Sequence, residues 1–107
     1  MDKTVYDAMG YIRRHYAEDL STQSMAKHFS LSYSYFSRIF KQIVGKSFKE
    51  YVNAVRINHA ERLLFSGDKS IGEIAAACGY NNAAYFIKVF RESKGVSPKN
   101  YKKENLL

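Results

Sequence analysis

The sequence predicts an all-α protein of about seven helices, organised as two helix-turn-helix lobes joined by a long central helix. Three observations lead to this prediction. Apolar residues recur at helical spacing through most of the chain, a short helix, a tight turn and a second helix occur twice, and a longer helical pattern separates the two copies. The 107 residues include one proline and six glycines, so order is expected nearly throughout.

The two copies are related by an offset of fifty positions. The stretch SYSYFSRIF, residues 32–40, is matched by AAYFIKVF, residues 83–90. Identical pairs at this offset are Tyr35/Tyr85, Phe36/Phe86, Phe40/Phe90, Gly45/Gly95, Ser47/Ser97, Lys49/Lys99 and Tyr51/Tyr101. Upstream, the best match shifts by one residue, which predicts one extra residue in the turn of the second copy. Repetition at a fixed offset is typical of a fold built from two copies of one structural unit.

The first lobe is predicted over about residues 4–46. Its first helix, about residues 4–16, has an apolar face formed by Val5, Ala8, Met9, Ile12 and Tyr16. Ser21 is expected to cap a second helix, whose inward face comprises Thr22, Met25, Ala26 and Phe29. Ser32 is expected to cap a third helix that ends at Gly45. The apolar positions of this third helix are Phe36, Ile39, Phe40 and Ile43.

The central helix is predicted over about residues 47–65. It opens with Ser47-Phe48-Lys49-Glu50, which has the spacing of a capping box. Its apolar side is expected to consist of Phe48, Val52, Val55, Ala60, Leu63 and Leu64. Because it lies between the copies, this helix is the expected shared spine.

The second lobe is predicted over about residues 69–104. Ser70 and Glu73 form a second capping box, followed by the inward positions Ile71, Ile74, Ala75 and Cys78. Asn82 is expected to cap the sixth helix, which buries Phe86, Val89 and Phe90 and ends at Gly95. Ser97 then caps a last short helix, with Pro98 at its first position. Residues 102–107 are expected to fray.

The charge balance favours a polyanionic partner. Seventeen Lys and Arg against ten Asp and Glu give a net charge of +7, and such a field increases affinity for polyanions without determining the fold. Nucleic acid is the leading interpretation, while an anionic membrane surface or an acidic protein stays open. One cysteine excludes an internal disulfide and fits a cytoplasmic location. No apolar run approaches the roughly 20 residues of a membrane helix.

The exposed faces of the third and sixth helices are the predicted base-reading surfaces. In a helix-turn-helix, the amino-terminal half of the second helix reaches base edges in the major groove. The predicted base contacts are Ser34, Ser37, Arg38, Lys41, Ala83, Ala84, Ile87 and Lys88. Arg38 and Lys88 suit guanine, and Ala84 and Ile87 suit thymine methyl groups. A basic stripe on one helix could equally be a solvated face, and its recurrence on the second copy favours double-stranded DNA.

Phosphate contacts are predicted beside these stripes. Helix amino ends favour phosphate, and the predicted contacts are Ser32, Tyr35, Lys49, Asn82, Tyr85, Arg91 and Lys99. For Ser47, capping alone is the favoured interpretation. For Tyr35 and Tyr85, packing at the edge of the core stays an alternative to a phosphate contact.

Other reactive side chains are not expected to form a site. His15, His28 and His59 lack paired ligand spacing, so no metal and no cofactor are predicted. Cys78 lies on an apolar stripe and is expected to be buried. No catalytic set of residues is apparent, so an enzyme is not expected. Arg56 is expected to form a salt bridge within the core rather than to contact DNA.

The chain resembles the DNA-binding domain of the AraC/XylS family of bacterial transcription regulators. The resemblance rests most strongly on IGEIAAACGYNNAAYFIKVFRESKGVSPKNY, and also on SMAKHFSLSYSYFSRIFKQIVGKSFKEYV and on Arg56, Ala60, Leu63 and Leu64. It covers about residues 6–101. Membership implies two homeodomain-like lobes whose recognition helices enter successive major-groove segments. The base-reading positions of the family fall on Ser34, Ser37, Arg38, Ala83, Ala84, Ile87 and Lys88. Small Ser34 and the two alanines depart from members with larger side chains, which implies weaker hydrogen bonding by the second lobe.

The resemblance also shapes the expected partners. Most members carry a second domain for an effector, for dimerisation or for phosphorylation. This chain begins almost at the first domain helix, so it is expected to be the carboxy-terminal piece of a larger regulator. RNA polymerase is a further expected partner, and an activator is the expected type. A monomer should cover about two turns of DNA at an asymmetric site. The alternatives are a helical module whose basic faces bind acidic proteins and, more weakly, an alkyl-accepting enzyme at Cys78.

Overall fold

The computed structural model describes residues 3–105 and contains seven α-helices over that range. They are α1 (Lys3–His15), α2 (Thr22–His28), α3 (Tyr33–Val44), α4 (Phe48–Ser66), α5 (Ile71–Ala77), α6 (Ala83–Lys94) and α7 (Pro98–Glu104). No strand occurs between residues 3 and 105, so the predicted all-α fold is confirmed. Residues 102–104 are helical rather than frayed, and residues 106 and 107 of the expected frayed end lie outside the described residues.

The chain divides into two compact units, and the boundary along the chain lies within α4, between Val55 and Arg56. The first unit contains α1, α2, α3 and the start of α4, and α2 packs against α3. Its core consists of Val5, Ala8, Ile12, Met25, Ala26, Phe36, Ile39, Phe40, Phe48 and Val52. The second unit contains the rest of α4 with α5, α6 and α7. Its core consists of Ile57, Ala60, Leu64, Ile74, Ala75, Cys78, Tyr80, Phe86, Val89 and Phe90.

The duplication extends to a helix that sequence comparison did not pair. In the first unit, α1 buries Val5, Ala8 and Ile12. In the second unit, the carboxy-terminal half of α4 buries Ile57, Ala60 and Leu64, which have the same i, i+3, i+7 spacing. Each helix-turn-helix therefore packs on a preceding helix with the same apolar pattern. Those preceding helices are α1 for α2–α3 and the second half of α4 for α5–α6.

The apolar side predicted for α4 needs a correction. A single stripe was expected, yet Val55 and Leu63 are only half-buried, and Ile57, which was not predicted, is 1% exposed. Phe48 and Val52 belong to the first core, whereas Ile57 begins the run that belongs to the second core. The helix thus carries two apolar faces, one for each unit, because its two halves serve different cores.

The aromatic contacts repeat in both units. The Phe36 and Phe40 ring centroids are 5.8 Å apart, and those of Phe86 and Phe90 are 5.9 Å apart. One further ring covers the second phenylalanine of each pair, with a Phe40–Tyr51 separation of 5.7 Å and a Phe90–Tyr101 separation of 5.4 Å. The phenylalanines and the Tyr51/Tyr101 pair that recur at an offset of fifty therefore build the same aromatic packing in both units.

The prediction that Ile43 faces inward is wrong. Ile43 is 38% exposed, whereas the next residue, Val44, packs against the first core. Ile43 continues the apolar spacing of α3, but it lies on the last helical turn, where it is not part of the core of this unit. The equivalent residue of the second copy is the exposed, polar Ser93, which was an available signal that this position does not need to be apolar.

The turns of the two helix-turn-helix motifs close in the same way. Ser30 has a φ of 57° and Gly79 a φ of 98°, both in the left-handed region that ends many helices. In each turn the following amide donates to a helix carbonyl, from Leu31 to Ala26 and from Tyr80 to Ala75, at 2.9 Å in both cases. The predicted extra residue of the second turn is located between Tyr80 and the cap of α6, and it is Asn81.

Exchanging the residues of these turns should change stability in opposite directions. Left-handed backbone penalises a residue that has a Cβ atom, so Ser30→Gly is expected to increase the free energy of unfolding by about 0.5–1 kcal/mol. Gly79→Ser should lower it by about 1 kcal/mol for the same reason. Urea unfolding followed by circular dichroism measures both. Equal shifts of the same sign would contradict the backbone explanation.

Candidate nucleic-acid interface

The second helix of each motif, α3 or α6, begins at a side-chain cap, as predicted. The Ser32 hydroxyl accepts a hydrogen bond from the Tyr35 amide at 3.2 Å. The Asn82 side-chain oxygen accepts one from the Tyr85 amide at 3.1 Å. In both caps the side-chain oxygen is the acceptor. The capping bond therefore does not use the hydroxyl hydrogen of Ser32 or the side-chain NH₂ of Asn82 as a donor. A phosphate at these helix ends would meet such donors together with uncapped amides.

The core determines which face of α3 is exposed. Phe36, Ile39 and Phe40 are buried, so the opposite side of the helix faces solvent. Of the predicted base-contacting residues on α3, Ser34, Arg38 and Lys41 are exposed, and Ser37 is half-buried at the edge of the stripe. Their i, i+4 and i+7 spacing aligns the three exposed residues along one line of the helix.

The same face is exposed on α6. Phe86, Val89 and Phe90 are buried. The residues predicted to contact DNA from this helix body, all exposed, are Ala83, Ala84, Ile87, Lys88 and Arg91. Ala84, Lys88 and Arg91 occupy the positions of Ser34, Arg38 and Lys41 at the offset of fifty. Each unit therefore presents a line of one small residue and two cations on the second helix of its motif.

Tyr35 and Tyr85, which are equivalent in sequence, occupy different environments. The Tyr35 ring is 40% exposed, and the Arg38 guanidinium carbon lies 5.4 Å from its centroid. This cation–π contact restrains the arginine while leaving its donors exposed. Tyr85 is half-buried and packs on Tyr80, with 6.0 Å between ring centroids. Tyr85 therefore packs at the edge of the second core, whereas Tyr35 lies more exposed beside Arg38.

A second pair of helix ends differs in charge. At the start of α4, the Ser47 amide donates to the Glu50 carboxylate at 2.9 Å, and the Glu50 amide donates to the Ser47 hydroxyl at 3.1 Å. The predicted capping box is confirmed, and the backbone hydrogen bond from Ser47 lowers the pKa of Glu50. At the start of α7, Ser97 caps the helix and the corresponding residue is the neutral Asn100.

The lysines at these two helix ends are both exposed. Lys49 follows Ser47 at the start of α4, and Lys99 follows Ser97 at the start of α7. The ionised Glu50 would oppose a phosphate beside Lys49, because like charges repel. The end of α7 near Lys99 lacks such a carboxylate in its capping position. Lys99 is therefore the better placed of the two predicted contacts.

The first helix-turn-helix is the more positive of the two. Residues 20–49 contain five Lys and Arg and no Asp or Glu, whereas residues 71–99 contain four Lys and Arg and two Glu. In the second unit Lys94 is also engaged, because its ammonium lies 2.5 Å from the Glu61 carboxylate. The hydrogen bond from Lys94 lowers the pKa of Glu61, so this pair stays charged and neutralises itself. Electrostatic attraction of a polyanion should therefore be stronger at the first motif.

One exposed residue was missed by the sequence analysis. Tyr33, the first residue of α3, is 57% exposed. Its equivalent at the offset of fifty is Ala83, which was among the predicted base contacts. The duplication therefore indicated this position, although Tyr33 is neither basic nor small like the other residues of the stripe.

The remaining reactive groups do not extend this interface. Within residues 3–105 no group of His, Cys, Asp and Glu side chains is arranged to hold a metal ion. Arg56 lies over the Tyr80 ring, with its guanidinium carbon 5.2 Å from the centroid, and it is half-buried in the second unit. None of the helices in the described range is long and apolar enough to cross a bilayer.

Cys78 is buried, as predicted, and its chemistry follows from that burial. The side chain is 0% exposed, and burial raises the pKa of the thiol to about 11. The thiol is therefore protonated at neutral pH, and a protonated thiol is a poor nucleophile. This environment does not support the alkyl-accepting role considered for Cys78.

The native thiol should accordingly resist alkylation. Iodoacetamide at pH 8 is expected to leave Cys78 unmodified in the folded protein and to alkylate it fully in 6–8 M urea, roughly the range that unfolds small domains. Intact-mass spectrometry measures the extent. Rapid labelling of the folded chain at this pH would contradict both the burial and the raised pKa.

Known proteins with similar sequences indicate the family to which this chain belongs. A family model described as a helix-turn-helix domain matches residues 25–104. The regulatory protein PocR of Salmonella typhimurium strain LT2 is 38% identical over 103 residues, which cover 96% of this chain and 34% of PocR. This chain spans about a third of the length of the curated relatives it matches.

Two solved structures are similar over nearly the whole chain. The C-terminal domain of AraT, a response regulator from Geobacillus stearothermophilus, is 34% identical with a TM-score of 0.94, covering 99% of this chain and 88% of that one. The DNA-binding domain of AdpA, a global transcriptional factor solved with a target DNA, is 25% identical with a TM-score of 0.88, covering 94% and 90%.

The fold, the two exposed stripes and these similarities define a helix-turn-helix DNA-binding domain of the transcription-regulator class. Within that class, the chain belongs to the AraC/XylS-type family. The family assignment expected from the sequence is confirmed. The family is one of DNA-binding regulator domains, which do not as a class catalyse reactions.

Proposed function

We propose that this chain binds a specific double-stranded DNA sequence by placing α3 and α6 in successive major-groove segments, as one domain of a larger bacterial transcription regulator. One observation supports this most directly. The second helix of each motif exposes the same line of residues, Ser34, Arg38 and Lys41 on α3 and Ala84, Lys88 and Arg91 on α6. In helix-turn-helix proteins this helix is the one that reads the major groove.

The first motif is the stronger reader in this proposal. Arg38 donates two hydrogen bonds to O6 and N7 of a guanine, held in place by the Tyr35 ring. The short side chains of Ser34 and Ser37 let the helix approach the base edges closely. Lys41 contacts a base farther along the groove. The absence of carboxylates from residues 20–49 supports tight approach to the phosphates.

The second motif reads mainly by apolar contact. Ala83, Ala84 and Ile87 offer no side-chain hydrogen bonds, so they touch thymine methyl groups, and Lys88 donates to a guanine. Arg91 contacts phosphate from the same helix. Because the two motifs carry different side chains at matched positions, the site they recognise is asymmetric and covers about two turns of DNA.

Phosphate contacts position both helices. The proposed set comprises Ser32, Tyr35, Lys49, Asn82, Tyr85, Arg91 and Lys99. Such contacts fix register and orientation without reading sequence. The burial of Tyr85 and the carboxylate beside Lys49 make these two the weakest members of the set.

The organisation of the regulator is part of the same proposal. Residues 1–107 act as one DNA-binding domain, with lobe one at about 4–46, a linker helix at about 47–65 and lobe two at about 69–104. The relatives are about three times as long as this chain, which supports a further effector, dimerisation or receiver domain. We also propose a cytoplasmic location, RNA polymerase as a partner, an activating role and no enzymatic activity.

The test is enrichment of random duplexes by this chain, followed by fluorescence anisotropy with the winning duplexes at several salt concentrations. One asymmetric site with two conserved blocks about 10 bp apart is expected. The specific duplex should bind at least about a thousandfold more tightly than non-specific duplex at physiological salt. Shortening the duplex below about two turns should abolish that preference.

The opposite result favours the other function considered from the sequence. If no sequence is enriched and affinity only falls with salt, the positive charge is a generic footprint. A helical module that binds acidic proteins through its basic faces would then be the better explanation.

A further inference from the structure

Tyr33 is an exposed aromatic residue whose side chain is not part of either hydrophobic core. It is 57% exposed, the largest exposed fraction among the large hydrophobic residues of the described range. Its side chain makes no hydrogen bond, ion pair or ring contact with any other described residue. The apolar residue that anchors the start of α3 is instead Leu31, which packs against the first core. Stability therefore gives no reason for an aromatic side chain at position 33.

The position of Tyr33 lies next to the proposed base-reading line. In a helix, residues four apart are neighbours on the surface. Tyr33 thus starts a row with Ser37 and Lys41, and this row meets the line of Ser34, Arg38 and Lys41 at Lys41. An aromatic ring at the amino end of this helix is placed where helix-turn-helix proteins touch bases.

The second motif carries its large apolar group one turn later. The equivalent row on α6 is Ala83, Ile87 and Arg91. Along the α3 row, a large residue is followed by a small one and then by a cation. Along the α6 row, the small residue comes first and the large one second, again followed by a cation. Ile87 is 38% exposed. Each of these two rows exposes one bulky apolar side chain before its cation, and the two positions differ by one helical turn, about 6 Å along the helix axis.

The surroundings favour DNA over a protein as the partner of this ring. Tyr33 lies within residues 20–49, which contain five cations and no carboxylate. Such a surface attracts a polyanion. In the major groove, the apolar feature that a polyanionic duplex presents is the thymine 5-methyl group.

We propose that Tyr33 is a specificity-determining residue whose ring contacts a thymine methyl group in the first half-site. This inference rests on the proposed DNA-binding function and adds one residue to it. It also predicts that the spacing between the contacted thymine and the contacted guanine differs between the half-sites, because Tyr33 and Ile87 occupy different turns of their helices.

The test uses the enriched duplex and replaces each thymine in turn by deoxyuridine, which lacks only the methyl group. One replacement in the first half-site should weaken binding of the wild-type chain by about fourfold, the effect of removing one buried methyl-sized group. The same replacement should leave the affinity of Tyr33→Ala unchanged. Tyr33→Phe should behave as the wild type, because it keeps the ring.

Matched controls separate this contact from general effects. Tyr6→Ala removes another exposed tyrosine, 47% exposed on α1, and should keep the wild-type response to deoxyuridine. Ile87→Ala should lose its response at a thymine in the second half-site only. Thermal unfolding confirms that each variant is folded, which is expected because all three side chains are exposed.

Each remaining outcome overturns the inference. A deoxyuridine profile that is the same for Tyr33→Ala and the wild type excludes a methyl contact. If Tyr33→Phe is as weak as Tyr33→Ala, the hydroxyl contacts phosphate instead of the ring contacting a base. In both cases the enriched site persists and the proposed function stands. A wild-type chain that enriches no duplex overturns both proposals together.

Discussion

Arg38→Ala is expected to weaken binding to the enriched duplex by about 1–3 kcal/mol and to relax base preference in one half-site. The guanidinium is exposed on α3 and rests against Tyr35, so it is available for a two-pronged contact with guanine. The measurement is competition anisotropy against duplexes that each carry one substituted base pair. The loss of preference should be confined to one base pair, or to two adjacent ones.

Lys88→Ala provides the matched change in the other half-site. Lys88 occupies the position of Arg38 at the offset of fifty, but an ammonium is a single point charge without the fork of a guanidinium. Its effect on specificity should therefore be smaller, and it should map to the second block of the site.

Arg62→Ala is the control for charge alone. Arg62 is exposed on α4, outside both proposed stripes. Its loss should change affinity for all sequences alike. If Arg38→Ala also weakens every duplex equally, and only reduces the dependence on salt, Arg38 contacts phosphate and does not read sequence.

Phe36→Ala should destabilise the first unit by about 3–5 kcal/mol. Phe36 is 0% exposed and contacts the rings of Phe40 and Phe48 at centroid distances of 5.8 and 5.9 Å. A loss of this size is a large part of the roughly 5–15 kcal/mol that stabilises a domain. Urea unfolding measures it, and specific DNA binding should be lost at temperatures where the wild type still binds.

Two further variants serve as comparisons for Phe36→Ala. Phe86→Ala removes the equivalent ring of the second unit, also 0% exposed, and should cost a similar amount. Ile43→Ala lies on the same helix as Phe36 but is 38% exposed, so it should cost less than about 1 kcal/mol. If Ile43→Ala were as costly as Phe36→Ala, the last turn of α3 would have to pack against a core.

Features set by neighbouring residues were predictable from the sequence. The capping boxes at Ser47 and Ser70 were confirmed, and so were the left-handed ends at Gly45 and Gly95, with φ values of 86° and 84°. Caps and helix ends depend on a few adjacent backbone groups, so their sequence signals are local. The exposed stripes were also predictable, because a helical period fixes which residues share a face.

The environments of equivalent residues were less predictable. Tyr35 and Tyr85 occupy the same position in the duplication, yet one supports an exposed arginine and the other packs on Tyr80. The difference depends on a residue of the preceding turn, since Tyr80 is 6% exposed whereas its counterpart Leu31 is half-buried. Periodicity cannot distinguish these cases, because it carries no information about the neighbour that covers a side chain.

By itself, the sequence determined that this protein is all-helical, that it builds one motif twice, and where most of its helices begin and end. The exception is the last helix, which continues to Glu104 where fraying was expected. Only the tertiary structure decided how the long helix α4 is used. Its positions Val52 and Ile57 are both buried but in different cores, and Ile57 repeats the role that Val5 has in α1. Local spacing defines the faces of a helix, but the partner of each face depends on contacts between residues far apart in sequence. The sequence of α4 therefore contains two apolar patterns, one in each half, and only the packed structure shows which core each pattern contacts.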